Sequence, residues 1–72
     1  MMRVGVIAGT HQEYEDWESK TIQYNDVVFH EINSIQDVLG IELNFLLYVG
    51  TCLYRKDFME LDALAQSRLR HA

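Results

Sequence analysis

Apolar and polar positions along the chain alternate in blocks that spell out six elements. Arg3 to Ala8 is a short apolar run closed by Gly9, the pattern of a buried strand. Residues 10–20 turn polar and acidic around Tyr14 and Trp17, three apart, which suits a short amphipathic helix. Thr10 and Glu13 stand at the spacing of a capping box, in which the two side chains satisfy backbone N–H groups at the helix start. Asn25-Asp26 is a turn signal, and the β-branched and aromatic "VVFHEI" that follows predicts a second strand. Ser34 to Gly40 has start and stop signals for a helix of under two turns. "IELNFLLYVG" predicts the third strand, almost continuously apolar towards its end. From Asp57 onward Phe58, Leu61, Leu64, Ala65 and Leu69 share one helical face, with a second capping-box spacing at Asp57 and Glu60.

The order β-α-β-α-β-α, with the first and third strands reading as buried on both faces, predicts one α/β domain over residues 1–72. Its core is a three-stranded parallel sheet of order 2-1-3 with helices on both faces, joined by right-handed crossovers. The weak joint is the connection from the second strand to the third, about ten residues long and close to the minimum for a parallel crossover. The alternative is an α+β fold in which "KTIQY" pairs with "VVFHEI" as an N-terminal hairpin about Asn25-Asp26.

Two turns of this scheme share a spelling. Gly9-Thr10 is followed by Asp16-Trp17, and Gly50-Thr51 by Asp57-Phe58, at the same spacing. In a 2-1-3 sheet the first and third strands are neighbours, so both turns would lie at the carboxyl end, where open parallel sheets bind ligands. Glycine permits close backbone approach, and two helix starts would offer N–H groups to an anion. Glu13, Glu15 and Asp16 suit ribose hydroxyls or a cation beside the first turn, whereas Arg55 and Lys56 suit phosphate beside the second. The candidate ligand-binding residues are therefore Gly9, Thr10, His11, Glu13, Gly50, Thr51, Cys52, Tyr54, Arg55 and Lys56. The plain alternative is that Gly-Thr is a common strand ending, that acids belong at helix starts, and that Trp17 and Phe58 are core anchors.

Composition narrows the classes. A chain of 72 residues that is 49% hydrophobic has little volume in which to hide its apolar surface, so a homodimer is expected. A net charge of −5 argues against nonspecific nucleic-acid binding, which depends on neutralising phosphates. Eight of the eleven acids lie in residues 1–50, so the body is acidic and the last helix mildly basic. A single cysteine excludes an internal disulfide framework. The start is too short to be a signal peptide, and no apolar run reaches membrane-spanning length. The expectation is a cytoplasmic protein that binds neither membrane nor nucleic acid.

The short first strand, Gly-Thr turn and following helix resemble Rossmann-like nucleotide-binding domains at superfamily level, over most of the chain. They also look like small proteins of the nucleoside-deoxyribosyltransferase-like kind. The specific phosphate signatures are missing: neither Gly-x-x-x-x-Gly-Lys-Ser/Thr nor Gly-x-Gly-x-x-Gly occurs. The resemblance implies a nucleotide-type ligand. The glutamate nucleophile of the second group maps onto no residue here. The compact, linker-free chain would also suit a phage-encoded accessory protein.

Catalytic sets stay incomplete. Cys52 could be activated near a helix start, but a phosphatase-type loop needs arginine at position 58, which is Phe58; a small buried residue is the simpler reading. His11 and His30 could both reach the carboxyl end and pair with Cys52, while His71 falls in a fraying tail. No spacing supports a metal site, and no cofactor is implied. Tyr14 and Tyr54 could stack on a base or serve a protein interface. The leading expectation is a non-catalytic binder of a nucleotide-type ligand at the two Gly-Thr turns. The rival is an acidic interaction or inhibitor module acting on another protein, and an enzyme comes third.

Overall fold

A computed structural model describes residues 1–70; His71 lies outside them. Three strands, β1 (Met2–Ala8), β2 (Val27–Ile32) and β3 (Phe45–Val49), form a parallel sheet of order β2-β1-β3. Two helices, α1 (His11–Lys20) and α2 (Phe58–Ser67), cover opposite faces. In register, Val4, Val6 and Ala8 stand beside Phe45, Leu47 and Val49, and Gly5 and Ile7 beside Leu46 and Tyr48. Segment Thr21–Tyr24 forms no strand, so the hairpin alternative is not what this chain adopts.

The sheet's two faces sort the apolar residues by parity, as alternation along a strand requires. Val4, Val6 and Ala8 pack under Tyr14 and Trp17 of α1, and Trp17 meets Phe29 of β2 edge-on at 5.1 Å. Ile7 and Ile32 join Val38, Leu43, Cys52, Leu61 and Ala65 beneath α2, where Phe58 also packs. Trp17 and Phe58 are half-buried and pack against the two layers, whose buried helix residues are Tyr14 on α1 and Leu61 and Ala65 on α2.

Three local expectations are corrected. The Ser34–Gly40 segment holds only a 3₁₀ turn, Ile35–Asp37, because Asp37 Oδ2 takes the N–H groups of Asn33 and Ser34 and the chain then drops Val38 into the core. The third strand begins at Phe45; Leu43 ahead of it pairs instead with the chain's C-terminal end, through Leu43 N–H to Arg68 O at 2.9 Å and Arg70 N–H to Leu43 O at 2.7 Å. Most consequentially, β3 is not buried on both faces. It is an edge strand, and Phe45, Leu47 and Tyr48 are exposed, Phe45 at 54% and Leu47 at 40%.

Candidate functional site

The 2-1-3 order brings the two Gly-Thr turns side by side, and they close on each other. Thr10 caps α1 by accepting from Glu13 N–H at 3.1 Å. The capping box stops there, because the Glu13 side chain crosses to the other turn. One carboxylate oxygen accepts Thr51 N–H at 2.8 Å and the other accepts the Thr51 hydroxyl at 2.6 Å. These two bonds favour the ionised form and hold the Glu13 carboxyl below its ordinary value. Both glycines are needed for this approach. A Cβ on Gly9 would overlap Thr51 Oγ1 and lie 2.6 Å from Glu13 Oε1. A Cβ on Gly50 would overlap Glu13 Oε2, and Gly50 also has φ +65°, which favours glycine. The repeated spelling is therefore one latch, with Glu13 as its bolt.

Arg55 holds the same end of the sheet from below. Its Nη1 donates to Ala8 O at 3.0 Å and Asn33 Oδ1 at 3.4 Å, and Nη2 to Asn33 O at 2.6 Å and Asp57 Oδ2 at 3.1 Å. Nε donates to Asp57 Oδ1 at 2.9 Å. A guanidinium has five N–H donors, and these bonds engage all of them. The side chain is only 15% exposed. The end of β1, the residue after β2 and the start of α2 are thereby tied to one cation. Asp57, spent on Arg55, does not cap α2, so the second capping box does not form; its carboxyl is held below the ordinary range by the Arg55 hydrogen bond.

On the α1 side, the His11 ring lies between two carboxylates, with Nδ1 2.7 Å from Glu31 Oε2 and Nε2 2.8 Å from Glu15 Oε1. Glu31, by hydrogen bond and by charge, raises the His11 pKa, and Glu15 adds to it. The acids expected to face a partner are partly engaged at home: Glu18 accepts the Tyr14 hydroxyl at 2.7 Å and Asp16 accepts from Gln12 at 3.3 Å. Tyr14 is buried, and burial followed by Glu18 raises its pKa, keeping the phenol protonated.

These shifts set a pH optimum for stability. Glu13 has a lowered pKa, so its contribution is complete above the ordinary glutamate value of 4.5 and is lost as pH falls through the folded value. Asp57 behaves likewise around 3.8. His11 has a raised pKa, so its contribution is complete below 6.5 and is lost as pH rises through the folded value above it. Urea unfolding across pH should therefore show greatest stability between 4.5 and 6.5. Glu13→Gln should flatten the acid limb and Glu31→Gln the alkaline limb.

The remaining nominated residues scatter. Cys52 is in the core beneath α2, on the far side of the sheet from His11, so the structure does not bring these two together as a nucleophile and base. Among the described residues, no group of three His, Cys, Asp or Glu side chains is placed to hold a metal. Lys56 is exposed, and so is Tyr54, at 87%. No helix among the described residues is long and apolar enough to cross a membrane.

Sequence reasoning passed over the outer edge of β3. Leu43 turns its N–H and C=O away from β1, towards Arg68 and Arg70, whereas Asn44 turns its N–H inward to Arg3 O. In β1, Met2 N–H turns to Asp26 beside β2 and Arg3 turns both its groups to Asn44, so Gly5 and Ile7 also face β3 and, in the parallel register, engage Phe45, Leu47 and Val49; the outward backbone groups of β3 are those of Leu46 and Tyr48. No strand among the described residues pairs with them. Above this edge, Tyr48 donates to Asp62 of α2 and accepts from Gln66 at 3.0 Å, and exposed Met59 falls on the same helical face as Asp62. The signal was the uncharged run "FLLYV", read as a buried strand. Comparison with known proteins adds no neighbour: no protein-family profile, curated protein or solved structure matches the chain.

Proposed function

We propose that the protein is a non-catalytic interaction module that accepts an extended polypeptide segment along the outer edge of β3. The observation that carries this reading is the outward backbone of Leu46 and Tyr48 within an edge strand that has no charge, proline or bulge. Natural edges are usually blunted by such features, because an unpaired row of N–H and C=O groups invites another strand. The opposite edge, β2, carries Glu31 and His30. Strand addition supplies main-chain hydrogen bonds, and exposed Phe45 and Leu47 supply apolar contact.

A nucleotide-type ligand at the Gly-Thr turns is the second reading, favoured by the juxtaposition of the turns at the carboxyl end of β1 and β3. The same geometry weighs against it. An ionised Glu13 fills the space between the turns and repels phosphate, and binding through Arg55 would forfeit its bonds to Ala8 and Asn33.

The test is a photo-reactive benzoyl group on Phe45, with Gln36, an exposed residue of the 3₁₀ turn, as the control position. In cells that make the protein, irradiation should yield a polypeptide adduct from position 45 and none from position 36. Absence of any adduct at 45 overturns the edge reading.

A further inference from the structure

We infer that His11 is a proton-operated clamp on the surface of α1. As an imidazolium it holds Glu31 of β2 and Glu15 of α1 together; as a neutral ring it keeps Glu31 through Nδ1–H and releases Glu15 to solvent. The geometry requires the charged form for the closed state. Nδ1 lies 2.7 and 2.9 Å from the two oxygens of Glu31, and Nε2 lies 2.8 Å from Glu15 Oε1. An ionised carboxylate can only accept, and a neutral imidazole has one N–H. Both contacts are therefore hydrogen bonds only when both ring nitrogens carry a proton.

The two carboxylates are not equivalent, and that decides which contact survives. Glu31 is fixed on a strand, meets the ring with both oxygens, and its side chain is 21% exposed. Glu15 uses one oxygen and is 55% exposed. An unpaired carboxylate costs more where water is scarcer, so the last proton stays on Nδ1 and Glu15 leaves. Among the described residues, His11 is the sole ion-pair partner of either acid. The other charges around it are engaged. Within α1, Glu13 bonds Thr51, Asp16 accepts from Gln12 and Glu18 accepts from Tyr14, whose buried phenol lies in the field of Glu31 and stays protonated. Past the end of β2, Arg55 is held by Ala8, Asn33 and Asp57. With the ring charged the three groups sum to −1; with it neutral they sum to −2, and the freed charge appears on α1 beside exposed Asp16. Glu31 first, and Glu15 less, raise the His11 pKa, which places this change on the alkaline side of 6.5. The acidic face of α1 thus gains a charge as pH rises, with the fold intact.

Ring ¹⁵N resonances of the intact chain, assigned with a His11→Gln variant and followed across pH, test the clamp. The titration midpoint of His11 should lie above 6.5, and its neutral form should be the Nδ1–H tautomer. Circular dichroism should not change across that midpoint. Glu15→Ala should lower the midpoint and leave the tautomer at Nδ1–H. Glu31→Ala should lower it further and move the neutral proton to Nε2, facing Glu15. The tautomer is read on the unaltered chain, so the result does not depend on either variant folding. An Nε2–H tautomer in the unaltered chain overturns the inference, because Glu31 would then be the carboxylate released. Loss of helix signal at the midpoint also overturns it, because the proton would then unfold α1 rather than free Glu15. So does a midpoint that Glu31→Ala leaves in place, because the ring would not be held by that carboxylate.

Discussion

Gly50→Ala is expected to lower the melting temperature about twice as far as Gly40→Ala. Both glycines have positive φ, +65° and +78°, so both variants carry the left-handed cost of about 1–2 kcal/mol. In a domain of this size each kcal/mol moves the midpoint by roughly 4–8 °C. Around Gly40 a Cβ meets nothing within 4 Å, so the backbone cost stands alone. At Gly50 the Cβ occupies the place of Glu13 Oε2, so the latch must open as well. The difference between the variants isolates the Glu13–Thr51 contact, and it should vanish in a Glu13→Ala background, which removes the atoms the new Cβ would meet. Equal losses in the parent background would mean that the turns are held apart from Glu13.

Arg55→Ala should destabilise the unliganded protein by about 2–4 kcal/mol, since removing one member of a hydrogen-bonded, largely buried charge pair costs about 3–5 kcal/mol and Asp57 is partly solvated. The loss comes from three places: Ala8 O and Asn33 O lose their donor, and Asp57 keeps its charge without its counter-ion. Arg55→Lys should recover only a minor part, because an ammonium cannot span acceptors arranged around a planar fork. Thermal unfolding without any ligand checks this directly. An arginine kept free for a ligand would behave as an ordinary surface residue, and its loss would move stability by no more than about 0.5 kcal/mol.

The sheet was legible in the sequence because strands and turns announced themselves locally. Valine and isoleucine ran up to glycine, and the matching Gly-Thr spelling marked two strand ends that a 2-1-3 order makes neighbours. The 3₁₀ turn was read as a short helix because three residues carry no period. Leu43 was assigned to the third strand because apolar continuity does not reveal that a single bridge to Leu69 takes it instead. At the carboxyl end, the 2-1-3 order predicts that the two Gly-Thr turns meet, as they do, but not that Glu13 bonds Thr51 or that Arg55 is spent on Ala8, Asn33 and Asp57. A carboxylate at the third helical position can turn back to its own cap or across to another loop, and only the fold decides. Arg55 likewise reads as a surface cation, because Ala8 and Asn33, which it ties to Asp57, are distant in sequence and accept through backbone carbonyls. The error at β3 is the most instructive. An apolar run predicts a strand buried on both faces only if strands flank it, and position in the sheet is not written in the run itself.

The latch and the nucleotide site differ in what holds Thr51. The Thr51 amide resonance in a ¹⁵N-labelled sample, followed across acid pH with and without a panel of nucleotides, answers that most directly. The Glu13 latch predicts a resonance that titrates below pH 4.5 with the carboxyl, loses that titration in Glu13→Gln, and stays unmoved by every nucleotide. A resonance indifferent to pH that shifts saturably with a nucleotide would contradict it and return the two Gly-Thr turns to the role of a ligand site.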